Sequence, residues 1–175
     1  GFINNNIKIM DRTFSLLEKY KKPFIFASSQ MSNMSHSTYG TLKSIGESYT
    51  KSLGGIIVKF WNVYGYETDP DKSHVITDFI KMAKDGEIVM RTTGEESRQF
   101  LYGDDCAECL FELSTPKNYN SIDRQKELHI TNFKWNTIQD IADIISKYIP
   151  CKITPGKHLD MVQKDKRNEP DDFVC

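Results

Sequence analysis

Long apolar runs are missing from this 175-residue chain. Its longest, such as Phe24-Ile25-Phe26-Ala27 and Ile56-Ile57-Val58, fall far short of the about 20 residues that a helix needs to cross a bilayer, so no transmembrane segment is expected. Cysteine is scarce too. Cys106, Cys109, Cys151 and Cys175 are too few and too unevenly spread for a disulfide framework, and reduced thiols are the default. Neither sign of charge dominates: 23 Lys+Arg stand against 24 Asp+Glu, a net charge of -1 that provides no broad positive field for nucleic acid or anionic lipid. Metal-ligand spacing is absent as well. His36, His74, His129 and His158 are scattered, and the Cys106/Cys109 pair reads as buried helix cysteines because no second pair follows at zinc spacing. The segment Gly1 to Asn6 has neither an initiator Met nor a basic-then-apolar leader, which leads us to expect a cytoplasmic chain whose first residue is not a natural start.

What is present is an ordinary balance for one domain or part of a larger one, 38% hydrophobic and 27% charged, with no internal repeat. Strand-like and helix-like segments alternate along it, the pattern of an α/β domain on a largely parallel sheet. Ile7, Met10, Phe14, Leu17 and Tyr20 repeat at helical spacing and Pro23 marks the stop; residues 24–27 read as a buried strand. A serine-rich loop leads to a helix from about Tyr39 to Leu53, ended by Gly54-Gly55, and a second buried strand over 56–63 follows. Further helices are expected from Val75 to Ala83, from Asp104-Asp105 to Leu113 and from Thr137 to Ile149, with strands near 87–90, 128–130 and 151–154. Thr137 and Asp140 resemble a capping box.

The chemistry concentrates after the first strand. Tyr39 and Lys43 stand at i and i+4, so they share one side of a helix, at the edge of a stripe formed by Leu42, Ile45, Tyr49 and Leu53. An ammonium beside a phenol favours the phenolate, which would let Tyr39 exchange a proton with a substrate hydroxyl, and a serine at the strand end would hold the same oxygen. Such a pair alone also decorates many solvated helices.

The order of several motifs carries a resemblance. Phe24-Ile25-Phe26-Ala27-Ser28-Ser29, Tyr39-Gly40-Thr41-Leu42-Lys43, Glu47, Lys59-Phe60-Trp61-Asn62-Val63-Tyr64-Gly65, Val75 to Ile80, Arg98 to Asp105 and Arg167-Asn168-Glu169-Pro170-Asp171 together resemble the extended short-chain dehydrogenases/reductases, the NAD-dependent sugar-nucleotide epimerases and dehydratases. The resemblance implies an α/β fold: the C-terminal part of a Rossmann-like parallel-sheet domain over 1–63, and over 64–175 mainly a smaller α/β substrate-binding region, with some segments returning to the Rossmann-like domain. It implies Ser29, Tyr39 and Lys43 as the catalytic trio. Cofactor contacts are implied at Asn4, Ser28, Tyr39, Lys43, Phe60 and Trp61, and substrate contacts at Ser29, Asn62, Arg98 and Arg167, the two arginines on a pyrophosphate. Read from the residues alone, Arg98 serves equally as a surface ion-pair residue, Asn62 as a turn former and Arg167 as part of a mobile tail. One of Asn4, Asn5 and Asn6 matches a family asparagine that precedes a helix, a place that capping explains equally well.

Two departures shape the expectation further. No G-x-G-x-x-G phosphate loop occurs anywhere in the chain, so it is expected to be part of a longer enzyme. Where dehydratases of the family carry Thr-Asp-Glu, this chain has Ser29-Gln30-Met31, which favours epimerisation over loss of water. The expected function is therefore a UDP-glucose 4-epimerase-like reaction on a nucleotide sugar, with NAD as cofactor and NADP as the alternative, in a homodimer that binds neither nucleic acid nor membrane. The alternatives are a reductase, dehydrogenase or dehydratase of the same family, and a noncatalytic module that binds a nucleotide sugar or a partner.

Overall fold

The computed structural model describes residues 1–33, 37–69 and 73–160. They form an α/β fold that divides into two compact units, one built from 1–61 and 107–130, the other from 62–106 and 131–160. No described helix is long and apolar enough to cross a membrane.

In the first unit, helix α1 (Phe2–Tyr20) starts earlier than the apolar spacing suggests, because polar Asn4, Asn5 and Asn6 are included in it. None of the three precedes the helix or caps it, contrary to the expectation: the N-cap is Gly1, and Asn6 donates its amide to the Phe2 carbonyl one turn back. Lys21 ends the helix in the left-handed conformation just before Pro23. Strand β1 (Ile25–Ser29) then pairs in parallel with β2 (Ile56–Phe60), which pairs in parallel with β6 (Leu128–Ile130). Between β1 and β2 lie a single 3-10 turn, Gln30–Asn33, and helix α2 (Thr38–Leu53). Ser37 caps α2 by accepting from the Gly40 N–H, and Gly54 closes it in the left-handed conformation that a side chain would resist.

The buried face of α2 differs from the expected stripe. Gly40, Leu42, Gly46 and Thr50 face inward, whereas Ile45 and Tyr49 are exposed. The reason is distance. A Cβ on Gly46 would fall 2.2 Å from the tip of the Phe26 ring, so the helix lies against β1 at a range that only a small residue permits. Tyr49 finds its apolar partner elsewhere, stacking on Phe14 of α1 at 5.2 Å. Phe14, the one buried side chain of α1, also meets Phe24 and Phe26, and burial of such a ring is worth about 1.5–3 kcal/mol.

The expected strand over 56–63 is two strands. β2 stops at Phe60; after Trp61 the chain resumes as β3 (Asn62–Tyr64) in the second unit, parallel to β5 (Ser97–Tyr102). β7 (Trp135–Thr137) joins the other edge of β5 in antiparallel sense, and β4 (Glu87–Val89) pairs with β8 (Lys152–Thr154). Helices α3 (Val75–Lys84) and α6 (Ile138–Tyr148) supply Phe79, Ala83, Ile141, Ala142 and Ile145, which pack with Ile88, Met90 and Phe100 into the core of this unit. The capping box of α6 is present: Thr137 Oγ1 accepts from the Asp140 N–H at 2.9 Å while Asp140 accepts from the Thr137 N–H at 2.7 Å. Helix α4 (Gly103–Ser114) carries Asp104 and Asp105 in its first turn, and the short α5 (Pro116–Ser121) follows. Cys106 is buried as expected but Cys109 is exposed: Cys106 is the one buried residue of α4, so the covered strip is too narrow to take in a second cysteine one turn on.

Candidate active site

The carboxyl ends of parallel strands are where α/β folds place their ligands, because helix N-termini and loops gather there. In the first unit that edge carries Ser28 and Ser29 at the end of β1, and Phe60 and Trp61 at the end of β2. Ser29 is buried, and its Oγ accepts from the Met31 N–H at 3.1 Å, which leaves its own proton for another acceptor. Tyr39, in the first turn of α2, is 44% exposed. One turn on, the Lys43 ammonium lies 5.6 Å from the centre of the Tyr39 ring and 5.4 Å from that of Phe26, and donates to the Ala27 carbonyl at 2.7 Å. Burial pulls the Lys43 pKa down, against the opposing charge of Glu47 one turn further along the helix. The structure thus sets Lys43 against β1 at Ala27, with Tyr39 one turn before it on α2 and Ser28 and Ser29 ending the strand, while Asn4 is exposed on α1.

Beneath this edge lies a buried polar cluster to which the motif reading gave no role, although Glu47 and Lys59 stand among the motif residues. Lys59 is wholly inaccessible, and its ammonium donates to Glu127 at 2.6 Å and Asn33 at 2.7 Å, with Glu47 at 3.5 Å. Burial raises the Glu127 pKa, yet the bonds and charge of Lys59 with the contacts of His129 and Asn33 outweigh it, holding the carboxyl below its ordinary value. The signal is a single lysine inside the apolar strand Ile56–Phe60.

The second unit has a cavity of its own, about 330 Å³. Its lining includes the apolar Val75, Phe79, Met82, Phe100 and Ile138 and the polar Arg91, Arg98 and Asn62. Arg98 is buried, and donates to the Ser97 carbonyl at 2.8 Å and to Asp160 at 2.7 Å. The ion-pair alternative for Arg98 is therefore real, but the pair is recessed rather than on the surface. Burial lowers its pKa while Asp160 and Glu96 oppose that shift. The Asn62 amide donates to the Gln99 carbonyl at 2.9 Å. Asp78 and Glu96 add two carboxyl groups to the lining, neither of them singled out by the motif pattern. His74 sits at the N-cap of α3 with its ring exposed and bound to Glu67. Arg167 lies outside the described residues.

The family model described as NAD dependent epimerase/dehydratase family matches residues 1–123, some two-thirds of the chain. The chain belongs to that family. Among solved structures, this family member is similar to the UDP-N-acetylglucosamine 4-epimerase of Methanobrevibacter ruminantium M1, with 22% identity and a TM-score of 0.74 over 95% of this chain and 60% of that one. The UDP-glucuronic acid 4-epimerase of Bacillus cereus, solved with UDP-glucuronic acid and NAD, shares 22% identity and a TM-score of 0.72 over 94% and 58% of the two chains. TunA, an NAD dependent NDP-hexosamine 5,6-dehydratase of tunicamycin biosynthesis, shares 15% identity and a TM-score of 0.74 over 94% and 60%. At these identities the likeness concerns the Rossmann-type fold. The chain spans 60% or less of the length of each of these structures. No curated protein matches it in sequence.

Proposed function

We propose that this chain belongs to an NAD-dependent nucleotide-sugar epimerase and supplies its proton-transfer residues together with a pocket for the nucleotide diphosphate. The observation that carries the reading is the Lys43 ammonium, which lies beside the Tyr39 ring and bonds the Ala27 carbonyl of the strand that ends in Ser29. This donor set suits a nicotinamide ribose: Lys43 offers N–H groups to its hydroxyls, and Ser28, Phe60 and Trp61 provide the neighbouring edge. NAD, when bound, supplies the acceptance and return of hydride. Tyr39, as phenolate, takes the proton from a sugar hydroxyl and returns it after the keto sugar has turned its other face. Lys43 stabilises the phenolate electrostatically, and the Ser29 hydroxyl donates a hydrogen bond to the reacting oxygen without giving up its proton.

Support for a nucleotide diphosphate comes from the cavity of the second unit, where the lining by Phe79, Met82 and Phe100 suits a base and ribose, and the Arg98 guanidinium suits phosphate oxygens. Arg167 is proposed for the same pyrophosphate. Ser29-Gln30-Met31 brings no carboxylic acid to the turn, which favours hydride return over dehydration. A homodimer through α1 and α2 is supported by the exposed Ile3, Ile7, Tyr20, Ile45 and Tyr49 on these helices. The test of the central reading is turnover of UDP-glucose and UDP-N-acetylglucosamine by the full-length protein with NAD. Tyr39→Phe should reduce kcat by about two to four powers of ten with the nucleotide sugar still bound, and a Tyr39→Phe enzyme near wild-type rate would refute the assignment.

A further inference from the structure

A lysine in the interior of a sheet demands a reason, because desolvating an ammonium costs several kcal/mol unless its surroundings compensate. Lys59 lies on β2 with Ser28 as its Cα partner on β1 and His129 as its partner on β6, so the three stand in one row across the sheet. Three acceptors from three elements meet its ammonium: Asn33 at the end of the 3-10 turn, Glu47 of α2 and Glu127 before β6. Two of these acceptors lead on. Glu47 accepts the Ser28 hydroxyl through its other oxygen. The second oxygen of Glu127 meets His129 Nε2 at 3.1 Å, and His129 Nδ1 accepts from the Trp61 indole N–H at 2.9 Å. An indole only donates, so His129 Nδ1 is unprotonated and its Nε2 carries the proton toward Glu127.

One ammonium is therefore tied to both ends of the segment that holds Ser29. Ser28 on one side is reached through Glu47, and Asn33 on the other is held directly, while the Glu127–His129 arm orients Trp61 at the end of the neighbouring strand. We infer that Lys59 is a positioning residue: it fixes the Ser28–Asn33 turn and the Trp61 indole relative to each other, so that Ser29 and Trp61 are presented in one geometry. The proposal rests on the function proposed above for the meaning of that geometry, although the positioning itself does not depend on it. Lysine suits the place better than arginine, since three acceptors from different directions match a compact ammonium and not a planar fork.

The experiment uses the full-length protein with every tryptophan except Trp61 replaced by phenylalanine, Trp135 among them, so that Trp61 is the reporter. Lys59→Met, Lys59→Arg and the isosteric Glu127→Gln are compared with Val58→Ala, a core truncation on the same strand that leaves the cluster intact. Native-state hydrogen exchange of residues 29–33, including the Met31 amide that bonds Ser29, is read alongside Trp61 emission. We expect exchange in that turn to rise about tenfold more in the cluster variants than in Val58→Ala, with a shifted Trp61 spectrum in Glu127→Gln and Lys59→Met. Turn exchange and Trp61 emission that move no further than in Val58→Ala would overturn the proposal. If Lys59→Met does not fold, Glu127→Gln decides on the same two readouts. With UDP-glucose as probe, the variants should lose about tenfold in kcat with KM changed less than about twofold, and an equal loss in Val58→Ala would count against positioning. A wild type inert toward nucleotide sugars refutes the epimerase reading alone, because exchange and emission still decide the role of Lys59.

Discussion

Lys59→Met removes a buried cation and leaves Glu47 and Glu127 without their shared counter-charge. Losing one partner of a buried pair costs about 3–5 kcal/mol. An independent count agrees: the bonds to Glu127 at 2.6 Å and Asn33 at 2.7 Å are charge-assisted, at about 1.5–3 kcal/mol each. The expected loss is about 4 kcal/mol. Urea unfolding followed with Trp61 as the sole tryptophan reads the first unit, and at an m-value of about 2 kcal/mol/M its midpoint should fall by about 2 M. The charge argument makes a second, sharper statement. Adding Glu47→Gln and Glu127→Gln to Lys59→Met removes the orphaned charges while keeping their shapes and oxygen acceptors, so at least about half of the loss should return. The pH dependence has a definite sign as well. Glu127 titrates below its ordinary 4.5 in the folded protein, so its contribution is complete above 4.5 and disappears as pH falls through the lower folded value. The gap between wild type and Lys59→Met should therefore narrow in acid. A loss below about 1 kcal/mol, or a triple variant as unstable as the single one, would refute the reasoning.

Three other outcomes follow from single groups. Thr137→Ala removes half of the capping box and should cost about 1 kcal/mol in the unit that contains Trp135, measured by urea unfolding at that indole. Glu67 is held at about 2 by the His74 side chain first, then by Thr77 and the His74 backbone. Its stabilising contribution is present above 4.5 and is lost toward pH 2, and in His74→Ala an NMR titration of Glu67 should move well up toward 4.5. Lys43 should titrate below 10.5 by NMR of its ammonium, and Glu47→Gln should lower it again, since Glu47 is the charge that opposes the effect of burial. Its burial penalty applies below the folded pKa and is relieved as pH rises toward 10.5.

Local chemistry made several of these features legible without coordinates. Helical spacing with Pro23 and Gly54 as stops located α1 and α2, the Thr137/Asp140 pair announced its cap, and Tyr39 four residues before Lys43 placed both on one turn-to-turn face. These depend on neighbours within a few positions, which a sequence displays directly. Periodicity misjudged the inner face of α2 for a physical reason: hydrophobicity marks Ile45 and Tyr49, but the closeness of Phe26 to Gly46 selects small residues for the contact. It also drew one strand through Trp61, where hydrogen bonding to β6 ends and pairing with β5 begins, a change set by partners distant in sequence.

By itself, then, the sequence determined the alternation of elements, the family motifs and the spacing of Tyr39 and Lys43. It also determined the absence of carboxyl groups beside Ser29. Only the tertiary structure decided that Lys59, one charge in an apolar strand, meets acceptors 26 and 68 residues away and so ties the serine turn to Trp61. A buried ammonium is tolerable solely where the fold converges enough oxygen atoms on it, and that convergence belongs to three dimensions.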